Sequence, residues 1–221
     1  MGEHYLSRQN SNHFIVKSQI LIYNSRMSSL DKILGFTDLL QRFRAIERIL
    51  LMNGKDRNEN DVEHSFSLAM LGWYINSTYE LGLDSEKILK YALVHDFVEV
   101  YAGDTFFYQQ DEKSVAEKKL REEKALMRLA AELPEFPEFH ALILNYEKRE
   151  DKESKFIYAL DKLEPILNIY LDKGRSWKRD SVSFDMLKIS KTPKVAADKT
   201  IEQIFSEMLQ KLTDNQKSLF P

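Results

Sequence analysis

Between Tyr91 and Ala102 the chain reads YALVHDFVEVYA, and apart from His95, Asp96 and Glu99 every residue in that run is apolar or aromatic. A helix that is apolar around its whole circumference belongs inside a core. A carboxylate taken out of water is costly unless it is paired, hydrogen-bonded or bound to a metal, so any fold this chain adopts must bring partners to these three groups. At about 100° per residue, His95 and Glu99 lie almost above one another at i,i+4 while Asp96 sits one step round, and all three can face one cavity. Asp104 follows just past Gly103. A buried His–Asp pair that satisfies itself is a common structural device. Companions elsewhere in the chain argue against that reading here.

Punctuation is sparse: seven Gly and five Pro in 221 residues, most of them where helices should stop, which predicts an all-α fold. Apolar residues at helical spacing predict a first helix over Leu30 to Met52. A second runs from Asn60 or Asp61 to near Gly82 and is expected to bury Val62, Phe66, Met70, Trp73 and Tyr74. A third, capped by Asp84 and Ser85, carries the His95 cluster and stops near Gly103. Ser114 to Leu133 reads as a helix with a solvated, i,i+4-paired face. Helices near Phe139 to Lys148 and over Glu153 to Asp172 follow, and Val195 to Leu212 closes the chain with the stripe Ile201, Ile204, Phe205, Met208 and Leu212. Residues 29–221 are expected to form one helical domain. Residues 1–28 are an extension whose IVKSQILIY piece fits a short strand or a helical turn equally well.

The absence of cysteine excludes disulfides, thiolate zinc sites and a Cys nucleophile, and it fits a reducing, cytoplasmic setting. Lys and Arg are interspersed with Asp and Glu at a net charge of −3, which argues against a nucleic-acid polymer or a membrane surface as partner. With no apolar run long enough for a signal core or a membrane span, the chain is expected to be neither exported nor inserted.

Hard and borderline metals are held by imidazole nitrogen and carboxylate oxygen converging from different helices. His64 in RNENDVEHS, the His95–Asp96 pair, and Asp161 in YALDKLEP offer such a set. Two His and two Asp leave coordination positions open for water and substrate, as catalytic sites do. Pro165, four residues after Asp161, removes an N–H and crowds the Asp161 carbonyl, so a kink there is expected to help aim that carboxylate.

The order His64, then His95–Asp96, then Asp161 on a helical background resembles the HD-domain superfamily of metal-dependent phosphohydrolases. The flanking patterns RxENxxEHS at Arg57 to Ser65 and HDxxExxxGDT at His95 to Thr105 look most like its 5′-deoxynucleotidase branch. This resemblance, over about residues 30–175, implies an HD-type helical bundle in which His64, His95, Asp96 and Asp161 bind one divalent cation (Mn, Co, Mg, Zn or Fe). It implies that Glu99 and Asp104 serve catalysis and sugar recognition. Glu99 would relay a proton to the leaving 5′-oxygen, and Asp104 would either accept from the sugar or assist the water. Arg48 and Arg57 are the candidate phosphate partners. The tryptophan that relatives place beside or soon after the first arginine is missing from ERILLMNGKDR, which bears on sugar selectivity. Val100 after Glu99 departs from the guanosine tetraphosphate hydrolases, and Phe-Val after His95–Asp96 departs from the triphosphohydrolases.

The resemblance therefore implies a phosphomonoesterase that hydrolyses deoxyribonucleoside 5′-monophosphates through metal-activated water, working as a homodimer. Two alternatives stand beside it. One is an HD hydrolase of another small phosphate ester or a nucleoside polyphosphate; the other is a metal-stabilised helical regulatory domain without turnover.

Overall fold

A computed structural model describes residues 28–103 and 112–221. The helix α1 (Ser29–Arg44) leads into a two-stranded antiparallel sheet, β1 (Glu47–Leu51) with β2 (Asn58–Asn60). Then come α2 (Asp61–Thr78), α3 (Ser85–Val94), α4 (Glu99–Ala102), α5 (Glu112–Glu132), α6 (Pro137–Lys148) and α7 (Lys152–Leu171). The chain ends in α8 (Arg175–Arg179), α9 (Phe184–Val195), α10 (Lys199–Asp214) and α11 (Gln216–Leu219). The expected helical architecture is present. The extension before residue 28, and Asp104 with it, lie outside the described residues.

Side-chain caps set most helix starts by satisfying N–H groups that have no partner within the helix. Ser28 with Asp31, and Asn60 with Glu63, form reciprocal capping boxes at α1 and α2. Asp84, Asp151, Ser183 and Asp198 cap α3, α7, α9 and α10.

The central element is α7. It packs against α2, α3, α6, α9 and α10, and its Phe156, Ile157, Leu160 and Leu163 are wholly buried. Each such side chain removed from water contributes about 1.5–3 kcal/mol before conformational entropy is counted. A second cluster, Leu39, Phe43, Phe97, Leu129, Phe139 and Ile143, ties α1 and α5 to α6, and Leu142 touches both clusters. The helix α7 runs on through Pro165 without a break.

Four expectations need correction. The first helix stops at Arg44, where the Ala45 N–H is shared between the Gln41 and Arg42 carbonyls. Glu47 to Leu51 instead pairs with Asn58 to Asn60 across a turn in which Gly54 takes φ +69°, a value open to glycine at little cost. The third helix breaks at His95: the N–H groups of Phe97, Glu99 and Val100 bond three residues back rather than four, a tightening that re-aims the polar trio. The last long helix starts at Lys199 rather than Val195: Val195 ends α9, and Asp198 caps the new helix.

The fourth correction concerns α2, which presents the opposite face. Its inner side is His64, Ser65, Leu68, Ala69, Gly72 and Ile75, while Val62, Phe66, Met70, Trp73 and Tyr74 are exposed. Small residues on the inner side let α2 approach α3 and α7 closely. A Cβ placed on Gly72 would lie 3.0 Å from Ile88 Cγ2 and 3.1 Å from Ile157 Cδ1.

Candidate active site

Three elements deliver the four candidate ligands: His64 from the first turn of α2, His95 and Asp96 from the break after α3, and Asp161 from the middle of α7. One nitrogen or oxygen from each lies within 4.8 Å of all the others. The His64 and His95 rings sit 5.2 Å apart. His95 Nδ1 donates to the Ala92 carbonyl at 2.9 Å, which leaves Nε2 as the nitrogen that faces the site. That Nε2 is buried and makes no hydrogen bond, although Asp96 Oδ2 is 3.0 Å and Asp161 Oδ1 3.8 Å away. A buried imidazole nitrogen without a hydrogen bond, facing two carboxylate oxygens, is a donor set that fits a divalent metal.

His64 lies between two carboxylates, with Nδ1 3.1 Å from Glu164 Oε2 and Nε2 3.1 Å from Asp161 Oδ1. Burial and the Arg48 charge work against its protonation, but Glu164 and Asp161 outweigh them and hold the imidazolium up to about 10. An imidazole that donates to an outer carboxylate while its other nitrogen faces the site is the usual support of a metal-bound histidine. Burial opposes ionisation of Asp161, yet Lys162 and the two imidazoles hold it well below the usual carboxylate range. Asp96 is drawn below that range in the same way, by His95 and Arg48 against its burial. Of the four, Asp96 alone keeps an opening: its side chain is 19% exposed, against 0–4% for the others.

Around this set lie further charged groups. Arg48, on β1, places Nη1 2.7 Å from Asp96 Oδ2 and 3.3 Å from Asp61 Oδ1. Glu99 is buried and groups with Asp61 and Asp96, their oxygens also within 4.8 Å of one another. Arg57 does not join the cluster. Its guanidinium grips the exposed Glu63 carboxylate and the Asn58 carbonyl, so of the two candidate arginines only Arg48 sits at the site. Asp104 falls outside the described residues.

Six groups escaped the sequence reading. Glu164 is wholly buried behind His64; its signal was the i+3 spacing from Asp161 inside an apolar stretch. Asp61 and Glu59 flank Arg48, and burial together with the Glu164 charge pushes Glu59 up to about 7. Lys162 sets its ammonium on Asp161 Oδ2, the oxygen turned away from the imidazoles. On α9, burial and then repulsion from Lys162 push Lys191 down to about 7 and Lys194 to about 8, against the pull of Asp161. Nothing in the local sequence of α9 marks those two lysines.

The sequence profile of the HD domain matches residues 40–205. The chain belongs to the HD-domain family. A metal-dependent phosphohydrolase of this fold from Magnetospirillum magnetotacticum MS-1, described as predicted, superposes with a TM-score of 0.73 at 29% identity, covering 88% of this chain and 100% of that one. The PH0347 protein of Pyrococcus horikoshii OT3 shares the fold at a TM-score of 0.59 and 23% identity over 83% of this chain and 97% of its own. In sequence, the HD-domain chain is 28% identical to the 5′-deoxynucleotidase hdd1 of Schizosaccharomyces pombe over 145 residues, 62% of this chain and 71% of that protein. It is 27% identical to the 5′-deoxynucleotidase HDDC2 of Danio rerio over 144 residues, 64% of this chain and 70% of that protein. The HD-domain chain is thus an enzyme of the phosphohydrolase type with a candidate His/Asp metal site. Among the described residues, no helix is long and apolar enough to cross a membrane.

Proposed function

We propose that this chain hydrolyses deoxyribonucleoside 5′-monophosphates to nucleoside and phosphate, with His64, His95, Asp96 and Asp161 holding one divalent cation. The observation that carries this reading is the convergence of the four side chains around the unsatisfied His95 Nε2, with an opening only on the Asp96 side. The similarity to two 5′-deoxynucleotidases supports the choice of substrate class. A divalent cation bound there supplies Lewis acidity toward the phosphoryl oxygens and toward water.

The chain's own groups do the rest. Arg48, fixed against Asp96 Oδ2, stands at the open edge of the site and presents a guanidinium to the incoming phosphate. Glu99, buried beside Asp96 and Asp61, is the carboxyl group placed to relay a proton to the departing 5′-oxygen. Asp104 keeps the role in sugar contact or water assistance that its motif position implies. Glu164 keeps His64 oriented from behind.

The test is phosphate release from a panel of nucleoside mono-, di- and triphosphates in Mn²⁺ or Co²⁺. Deoxynucleoside monophosphates should be cleaved, and His95→Ala or Asp96→Ala should abolish turnover. Full activity in EDTA-stripped protein would refute the metal assignment, and a preference for triphosphates would move the substrate to the polyphosphate class.

A further inference from the structure

Asp161, Glu164 and Asn168 stand at i, i+3 and i+7 of α7 and so share one face of the helix. Glu164 is wholly buried and divides its two oxygens. Its Oε2 lies 3.1 Å from His64 Nδ1, and its Oε1 accepts from Asn168 Nδ2 at 2.6 Å. An amide that meets a carboxylate oxygen must present its NH₂, which fixes the orientation of the Asn168 group. Asn168 itself is half-buried, at the outer end of the row. A chain of short contacts therefore runs from Asn168 through Glu164 to His64, whose other nitrogen lies 3.1 Å from Asp161 Oδ1. A second acid, the buried Glu59 of β2, belongs to the same group, its oxygen within 4.8 Å of His64 and Glu164. Two carboxylates in one dry place repel each other, so Glu164 needs more than the imidazole to keep its side chain turned toward His64.

We propose that Asn168 is a positioning residue of the metal site: its amide locks the Glu164 carboxylate in the orientation that holds His64 with Nε2 toward the cation. The inference rests on the four-ligand metal site of the proposed function and extends it by one link. Side chains four apart on a helix are neighbours, so the short Asn168 side chain reaches Glu164 without leaving its own helix face. A neutral amide suits the place. It satisfies Oε1 and adds no positive charge to compete with the imidazole for the carboxylate, as a lysine there would. The partners that orient a metal-bound histidine from behind typically govern metal affinity by about 10–100-fold. Asn168 acts through such a partner, which places its own effect at the lower end, about tenfold.

The test is calorimetric titration of the metal-stripped full chain with Mn²⁺ alone, with no substrate present. Asn168→Leu and Asn168→Ala should each weaken Mn²⁺ binding about tenfold. Asn168→Gln, which keeps the amide, should retain most of the affinity. Placed in a Glu164→Gln background, Asn168→Ala should cost little more than Glu164→Gln alone, because the amide would have lost the group through which it acts. Wild-type affinity in both the Leu and the Ala variants overturns the inference. So does a loss that is as large in the Glu164→Gln background as in the wild type, or one that Asn168→Gln fails to restore, since either would mark Asn168 as a packing residue of α7. A wild-type chain that binds no Mn²⁺ removes the metal site itself, and that failure is distinct from variants that match a wild type that does bind. The titration decides the matter whichever phosphate ester is cleaved.

Discussion

Asp151 caps the helix that carries Asp161 and Glu164, and removing it tests how that helix is anchored. Its Oδ1 accepts from the Ser154 N–H at 2.7 Å, and its Oδ2 accepts from the Tyr91 hydroxyl at 2.7 Å and meets Lys87 Nζ at 2.8 Å. In Asp151→Ala the lost cap costs about 1 kcal/mol. The buried Tyr91 hydroxyl, left without its acceptor, costs about 1–3 kcal/mol. The part-exposed Lys87 pair adds about 0–1 kcal/mol. Because these contacts share one carboxylate the terms overlap, and a total of about 2–4 kcal/mol is expected.

The pH dependence provides a second check. Burial raises the Asp151 pKa, but Lys87, Tyr91 and Ser154 outweigh it and leave the carboxyl at about 2, below its ordinary 3.8. The unfolded chain therefore binds the extra proton first as pH falls. The stabilisation is fully present above about pH 4 and is lost as pH falls through the folded value near 2. After allowance for screening this charge-dependent part is about 1–2 kcal/mol. Urea unfolding of wild type, Asp151→Ala and Asp151→Asn at pH 7, 5 and 3 separates the terms, since asparagine keeps the cap and loses the charge. An alanine variant within about 0.5 kcal/mol of wild type, well short of a typical cap loss, would refute the reasoning. So would a difference that does not shrink between pH 5 and pH 3.

Two further outcomes follow from the geometry. With the His64 imidazolium held up to about 10 by Glu164 and Asp161 against its burial, loading a divalent cation must displace a proton. Chelator-buffered metal titrations should therefore show affinity rising about tenfold per pH unit from 6 to 9, and Glu164→Gln should flatten that slope; a flat wild-type profile would contradict it. Gly174 takes φ +74°, and a Cβ there would lie 1.9 Å from the Leu219 carbonyl oxygen, a backbone atom that cannot swing aside. Gly174→Ala should cost at least about 2 kcal/mol by urea unfolding.

Helix existence was legible where a long apolar stripe coincided with burial. The α10 stripe of Ile201, Phe205, Met208 and Leu212 is buried as its spacing implies, and α7 falls within a residue of its expected bounds. The inward face of α2 was not legible, because apolar size points to Phe66, Met70 and Trp73 whereas close approach depends on Ser65, Ala69 and Gly72. The β1–β2 pair was missed for a related reason: Glu47 to Leu51 continues the apolar spacing of α1, and only its partner strand Asn58 to Asn60 distinguishes it. At the site, His95 and Asp96 stood out as charges in an apolar run, and His64 and Asp161 by motif. Glu164 read as one more acid on a helix. Lys191 and Lys194 are placed by tertiary packing, which no local pattern records.

Gly72 has a consequence well away from where it sits. It lies two turns along α2 from His64, about 12 Å at the usual helical rise. The two helices that it nearly touches, α3 and α7, lead to His95 and carry Asp161. The absence of a side chain there works as the jaw of a caliper, with His64 on one arm and Asp161 on the other. A side chain added at Gly72 would push on the helices that lead to or carry the candidate ligands, from a position outside the site.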